Sequence, residues 1–209
     1  MIKLLIFDLD NTLFDTYNQL GVKVLDKMIA QMKKFGLTKE QEGILREKYN
    51  STGFRILANQ LGLSDEMKHI GMETYKSMDL SKIKPFNDVE LMPLFKQKKA
   101  LVTSGLVDVQ MEKIEILGLN GMFDEVVVDE SSSHENKQRI FAAMMKKFKA
   151  KPEETMVIGD NPESEIAAGH NLGITTVQVL RRAEMLKGKA DYHVKDLHEV
   201  KKILEGAGK

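Results

Sequence analysis

The sequence predicts an α/β protein, a mainly parallel sheet with helices on both faces, interrupted by a small all-helical insertion. Three observations carry this. Short apolar runs suited to buried strands recur at 4–7, 100–103, 126–128, 156–158 and 176–179, with a shorter one at 192–194. From residue 99 onward they alternate with helical patterns at 107–117, 136–148, 163–171 and 197–204, the alternation that builds a parallel sheet covered on both sides. Between the first run and residue 100 lies a long interval with helical patterning and no convincing strand.

Leu4-Leu5-Ile6-Phe7 is an unbroken apolar run, as a strand buried on both faces requires, and it ends in Asp8-Leu9-Asp10. Open parallel sheets place their chemistry at this end of a strand, although Asp, Asn and Thr also serve simply to cap turns. The following interval carries Leu20, Val24, Leu25, Met28, Ile29 and Met32 at helical spacing. Further helical stretches at 44–49, 54–61 and 67–78 are separated by Gly36, Ser51-Thr52-Gly53 and Gly62-Leu63-Ser64. Residues 15–84 are therefore expected to form the insertion, and 1–14 with 85–209 the sheet domain. Pro85-Phe86-Asn87-Asp88 marks the return, followed by an expected helix with Val89, Leu91, Met92 and Leu94, interrupted at Pro93.

The second strand runs into Thr103-Ser104-Gly105, whose hydroxyl and backbone amides suit either a phosphate or an ordinary strand-to-helix turn. Ser132 and Glu135 have capping-box spacing at the next helix start. Lys137 precedes Ile140, Phe141 and Met144 by three, four and seven residues, which puts a cation on an apolar face. Such a lysine either snorkels past that face into water or meets an anion. Gly159-Asp160-Asn161-Pro162 closes the strand at 156–158, with Asn161 as helix cap and Pro162 at the first helical position. Glu163 and Glu165 then suit the positive end of that helix.

At 209 residues and 42% hydrophobic content the chain can build one sizeable core with an appendage. Basic and acidic residues both number 31, so no global basic surface points to nucleic acid, and a small molecule is the expected partner. The absence of cysteine excludes disulfides, thiolate metal sites and cysteine nucleophiles, leaving hard metals with oxygen ligands. No stretch reads as a signal peptide or membrane span, and the cytoplasm is the expected compartment.

Asp8, Asp10, Thr103 and Asp160 are thus expected at the carboxyl ends of strands, with Lys137 at a helix start on the same edge. Two acids as close as Asp8 and Asp10 repel unless a cation or a shared proton relieves them. Independent turn residues would not be expected to supply acids, a hydroxyl and a cation together.

This set resembles the haloacid dehalogenase superfamily of phosphotransferases. Its first motif, Asp-x-Asp-x-Thr after an apolar strand, matches Asp8-Leu9-Asp10-Asn11-Thr12. The second, a Thr or Ser after a strand, resembles Val102-Thr103-Ser104-Gly105, and the third, a lone lysine, falls on Lys137, followed here by Gln138 where many relatives have proline. The fourth resembles Gly159-Asp160 with Glu165, where a second Asp is commoner.

The resemblance implies a Rossmann-like three-layer α/β/α core and a helical cap that closes over the site and excludes water. It implies that Asp8 is the nucleophile, that Asp10 donates and then accepts a proton, and that Thr103, Ser104, Gly105 and Lys137 bind the phosphoryl group. Mg2+ would be held by Asp8, Asp160 and the backbone carbonyl of Asp10, with Asn161 and Glu165 as further candidates. Arg46, Tyr49 and Arg55 are the polar candidates on the cap. The second aspartate of the first motif argues against carbon–halogen cleavage, in which no leaving oxygen needs a proton. The expected activity is magnesium-dependent hydrolysis of a small phosphorylated metabolite through an aspartyl-phosphate. The alternatives are a phosphomutase of the β-phosphoglucomutase type and, in another class, a non-catalytic phospho-switch or binding protein.

Overall fold

The computed structural model describes residues 1–49, 52–131 and 134–206. In chain order its elements are β1 (Leu4–Phe7), α1 (Val22–Met32), α2 (Lys39–Lys48), α3 (Phe54–Gln60), α4 (Asp65–Lys76), β2 (Lys98–Ser104), α5 (Val107–Ile116), β3 (Glu125–Asp129), α6 (His134–Phe148), β4 (Thr155–Gly159), α7 (Ala167–Asn171), β5 (Thr175–Val179), β6 (Tyr192–Val194) and α8 (Leu197–Leu204). The chain divides into two compact units, Met1–Asp15 with Lys84–Lys209 and Thr16–Ile83. Among the described residues, no helix is long and apolar enough to cross a membrane.

The first unit is a Rossmann-like α/β fold on a six-stranded sheet in the order β3-β2-β1-β4-β5-β6. Every neighbouring pair is parallel. Alternation along β1 sends Leu4 and Ile6 into a cluster with Ala100, Val102, Phe141, Met144 and Val157, where α6 covers the sheet. Phe7 turns to the opposite face, where its ring lies 6.0 Å from Phe95 and 6.1 Å from Phe123. All four β1 side chains are fully buried, which explains the unbroken apolar run.

The chain leaves β1 for β2 and β3, then returns to place β4 on the other side of β1. Strand order reverses there, and such a reversal opens a crevice at the carboxyl ends of the strands. Phe7 is in register with both Leu101 and Ile158, so Asp8, Thr103 and Asp160 follow within two residues of one level of the sheet.

Two expected helices differ in detail. Asn87–Leu94 is a 3-10 segment with Pro93 inside it, because proline lacks the amide and crowds the preceding turn of an α-helix. The helix expected at 163–171 opens as a wide π-type turn over Pro162–Ile166 before α7 begins. Asn161 caps this turn as expected, its Oδ1 accepting from the Glu163 amide at 2.9 Å. Ser132, assigned to a capping box before α6, lies outside the described residues.

The second unit is helical. Val24, Leu25, Met28, Ile29 and Met32 of α1 pack with Leu45, Phe54, Leu57 and Met67 around one apolar cluster. At Gly71 in α4 a Cβ would stand 2.0 Å from the Phe54 ring, so only glycine permits this approach. The Thr38 side chain caps α2 by accepting from Gln41 N at 3.1 Å while Gln41 Oε1 accepts from Thr38 N at 3.1 Å.

Candidate active site

Asp8 stands immediately beyond β1 and is 6% exposed. Its amide donates to the Ile158 carbonyl at 2.9 Å, extending the β1–β4 pairing by one residue. Thr12 Oγ1 donates back to Asp8 Oδ2 at 3.3 Å across the turn, in which Asn11 takes a left-handed φ of 57°. Asparagine tolerates that conformation better than most side chains. Arg181, beyond β5, fixes the turn by donating through Nε and Nη2 to the Thr12 carbonyl at 3.1 and 2.7 Å.

Asp8, Asp160 and Glu165 each offer a carboxylate oxygen, and the three oxygens lie within 4.8 Å of one another. Lys137 enters from α6 only 2% exposed, so it does not snorkel to water. Its ammonium donates to Glu165 and stands 3.8 Å from Asp8 Oδ1. Glu165 also accepts from Ser164 Oγ at 2.9 Å and from the Asn161 amide at 3.3 Å. Gly159 makes room for it, since a Cβ there would lie 2.6 Å from Glu165 Cγ.

Burial, reinforced by the Glu165 charge, holds the Asp8 carboxyl well above its ordinary range, although Lys137 opposes the shift. Burial and then Glu165 push Asp160 up to about 8. Burial disfavours charge on Lys137 as well, yet Glu165 and Asp8 beside it keep its pKa above the usual lysine value. One ammonium faces three carboxylates, and Glu165 takes its hydrogen bond. The donor set left around Asp8 and Asp160 is hard oxygen carrying excess negative charge, which fits a divalent cation such as Mg2+.

On the β2 side, Asp10 is held by two residues of α5. Lys113 Nζ lies 2.8 Å from Asp10 Oδ1, and Gln110 Nε2 donates to Asp10 Oδ2 at 2.9 Å and also to Thr103 Oγ1. Sequence reasoning missed both. Their only local signal is a pair of long polar side chains three residues apart in a helix that also carries Val109 and Ile114. It missed Arg182 too, whose Nη1 lies 3.2 Å from Asn11 Oδ1 and 3.3 Å from Asp15 Oδ1.

The turn after β2 departs from its expected role in part. Ser104 ends the strand opposite Asp129, and the Gly105 amide donates to the Asp129 carbonyl at 3.1 Å, so that donor is not turned to a phosphate. Gly105 has a φ of 151°, and a Cβ on it would meet the Gln110 side chain at 3.1 Å. Its glycine serves to admit Gln110. Arg46, Tyr49 and Arg55 belong to the second unit, where Arg46 pairs with Asp26 at 2.7 Å and with Glu42 at 3.2 Å. Tyr49 packs against the apolar cluster there, and Arg55 is exposed on α3.

The model of the haloacid dehalogenase-like hydrolase family matches residues 5–179. A glyceraldehyde 3-phosphate phosphatase of Methanopyrus kandleri is 31% identical over 199 residues, covering 87% of this chain and 85% of its own. The glyceraldehyde 3-phosphate phosphatase of Methanothermobacter thermautotrophicus is 27% identical, covering 98% and 100%. Among solved structures, a haloacid dehalogenase-like hydrolase of Streptococcus pneumoniae superposes with a TM-score of 0.76 at 17% identity, covering 97% and 98%.

Proposed function

The chain belongs to the haloacid dehalogenase-like hydrolases, and we propose that it is a magnesium-dependent phosphatase acting on a small phosphorylated metabolite through an aspartyl-phosphate on Asp8. The observation that carries this reading is the division of labour between two neighbouring acids. Asp8 is buried against Lys137 and Asp160, whereas Asp10 is half-buried and hydrogen-bonded on the Thr103 side. Such a pair can split one difficult displacement into two easier steps.

In the first step an Asp8 oxygen attacks phosphorus, the ester P–O bond breaks, and Asp10 gives its proton to the leaving oxygen. In the second, Asp10 takes a proton from water, the water oxygen attacks phosphorus, and the bond to Asp8 breaks to release inorganic phosphate. Lys137 and the Thr103 hydroxyl stabilise charge on the phosphoryl oxygens. Mg2+ held by the Asp8 and Asp160 carboxylates and the Asp10 carbonyl would keep Asp8 ionised beside an anionic substrate.

The substrate proposed first is a three-carbon phosphate ester such as glyceraldehyde 3-phosphate, which appears in the names of the two relatives. The test is phosphate release from a panel of esters, with and without magnesium, for the wild type and Asp8→Asn. Metal-dependent release that is lost in Asp8→Asn supports the proposal, and the preferred ester names the substrate class. Undiminished turnover in Asp8→Asn refutes the nucleophile assignment, and rearranged ester without free phosphate would indicate a mutase.

A further inference from the structure

We infer that Gln110 and Lys113 are positioning residues for phosphoryl transfer, holding the Asp10 carboxylate and the Thr103 hydroxyl in one fixed mutual orientation. The inference rests on the phosphatase reading and extends it to two side chains that act through Asp10 and Thr103.

Both residues are almost wholly buried, Gln110 at 0% and Lys113 at 1% exposure, and they lie three residues apart on α5. Each donates to a different oxygen of the same carboxylate, Lys113 to Oδ1 and Gln110 to Oδ2. A donor on each oxygen fixes the plane of the carboxylate as well as its position. Lysine is among the residues least often buried, and a long apolar side chain would fill the same space without its desolvation cost. The Phe14 ring, 5.6 Å from the ammonium, adds a second favourable contact.

The Gln110 amide carries the more specific information. The same nitrogen donates to Asp10 and to Thr103 Oγ1, and the opposite amide orientation would set its oxygen against a carboxylate. Thr103 Oγ1 therefore accepts from Gln110, and its own hydrogen points elsewhere, available to a phosphoryl oxygen. Among the described residues the remaining Gln110 oxygen has no hydrogen-bond partner, so the Asp10 and Thr103 contacts are what set the orientation of the amide. The glycine at 105 leaves space for this side chain. One amide thus ties the group that protonates the leaving oxygen to the hydroxyl that faces the phosphate.

The test compares Lys113→Met and Gln110→Met with the wild type on two esters, glycerol phosphate and p-nitrophenyl phosphate. The first leaves as an alkoxide that needs a proton, whereas the second leaves as a stable phenolate. The readout is kcat/KM, which reports the step that breaks the ester bond. We expect a loss of about a hundredfold on glycerol phosphate and less than about tenfold on p-nitrophenyl phosphate, because only the former depends on an oriented proton donor. Equal losses on both esters, or a lower melting temperature with unchanged kcat/KM, would overturn the inference and leave α5 a structural support. If Lys113→Met does not fold, Gln110→Met, a neutral exchange of similar size, decides the question on the same criterion. Wild-type protein that hydrolyses neither ester, nor any other in the panel, would remove the phosphatase reading itself, and the inference with it.

Discussion

Replacing Lys137 with methionine keeps the length of the side chain and deletes its charge. The ammonium stands 3.8 Å from Asp8 Oδ1 and donates to Glu165, with 3% side-chain exposure on both Lys137 and Glu165. At an effective dielectric of about 20, a unit charge at that distance attracts Asp8 in its ionised form by about 4 kcal/mol, much of it offset by the desolvation of both ions. Deleting one member of a buried pair strands the other, and the net loss in such cases is about 3–5 kcal/mol. For a protein of this size that corresponds to a fall in melting temperature of roughly 6–20 °C. Thermal melts in chelator, followed by circular dichroism, measure it directly. The double variant Lys137→Met with Glu165→Gln should lose less than the sum of the single losses, by about 0.5–3 kcal/mol, because neutralising Glu165 removes the stranded charge. Magnesium should recover part of the loss in the single variant. A melting temperature within about 2 °C of wild type, or strict additivity in the double variant, would refute the counterion role of Lys137.

The metal-free protein should lose stability as pH rises. Asp160 binds its proton up to about pH 8 in the folded state and only to about 3.8 in the ordinary one, so the folded chain holds more protons between those values. Melts across that range in chelator should decline toward pH 8 and flatten when magnesium is added; a rising profile would contradict the acid cluster. Gly159→Ala should push Glu165 off Lys137, since the new methyl would stand 2.6 Å from Glu165 Cγ. A cost of about 1–3 kcal/mol is expected, with a fall in kcat, and wild-type values for both would show that the contact relaxes freely. Arg181→Met should cost about 3–5 kcal/mol by leaving Asp88 buried without its 2.7 Å ion pair. It should also lower turnover at 25 °C, because the Thr12 carbonyl loses both donors that fix the turn after Asp8. Full activity would place that turn outside the catalytic constraint.

The acids were legible in the sequence because their cause is local. A buried strand that stops at a carboxylate announces its own end, and Asp8 and Asp160 each follow such a run directly. By spacing alone Lys137 reads as a cation on an apolar face, a pattern that does not separate the snorkelling arrangement from the paired one, and the resemblance to the family motif is what singles it out. Its partner Glu165 comes from a segment 28 residues away whose local pattern is an ordinary acidic helix start, so that only the resemblance of Gly159-Asp160 with Glu165 to the fourth motif marks it. Gln110 and Lys113 were hidden more deeply, as their partner Asp10 lies 100 and 103 residues distant and nothing within α5 marks which polar side chains are buried. The segment Asn87–Leu94 misled for the opposite reason, because its apolar spacing is helical and Pro93 decides how tightly the chain can wind.

The central place of β1 has a bearing on how the protein comes into being. Its neighbours on the two sides begin at Lys98 and Thr155, so Leu4-Leu5-Ile6-Phe7 leaves the ribosome well before either edge has a partner. At ordinary synthesis rates the gap of about 150 residues to β4 amounts to roughly 8–30 s. Once β2 is made it can cover one edge of this apolar, β-prone tetrapeptide, but the other edge stays open until β4 is made, and the nucleophile beside it lacks Asp160 and Glu165 until then. The acid cluster therefore waits for the same late segment that covers the second edge of β1, and a nascent chain stalled before residue 155 would leave that edge open while having no chemistry to perform.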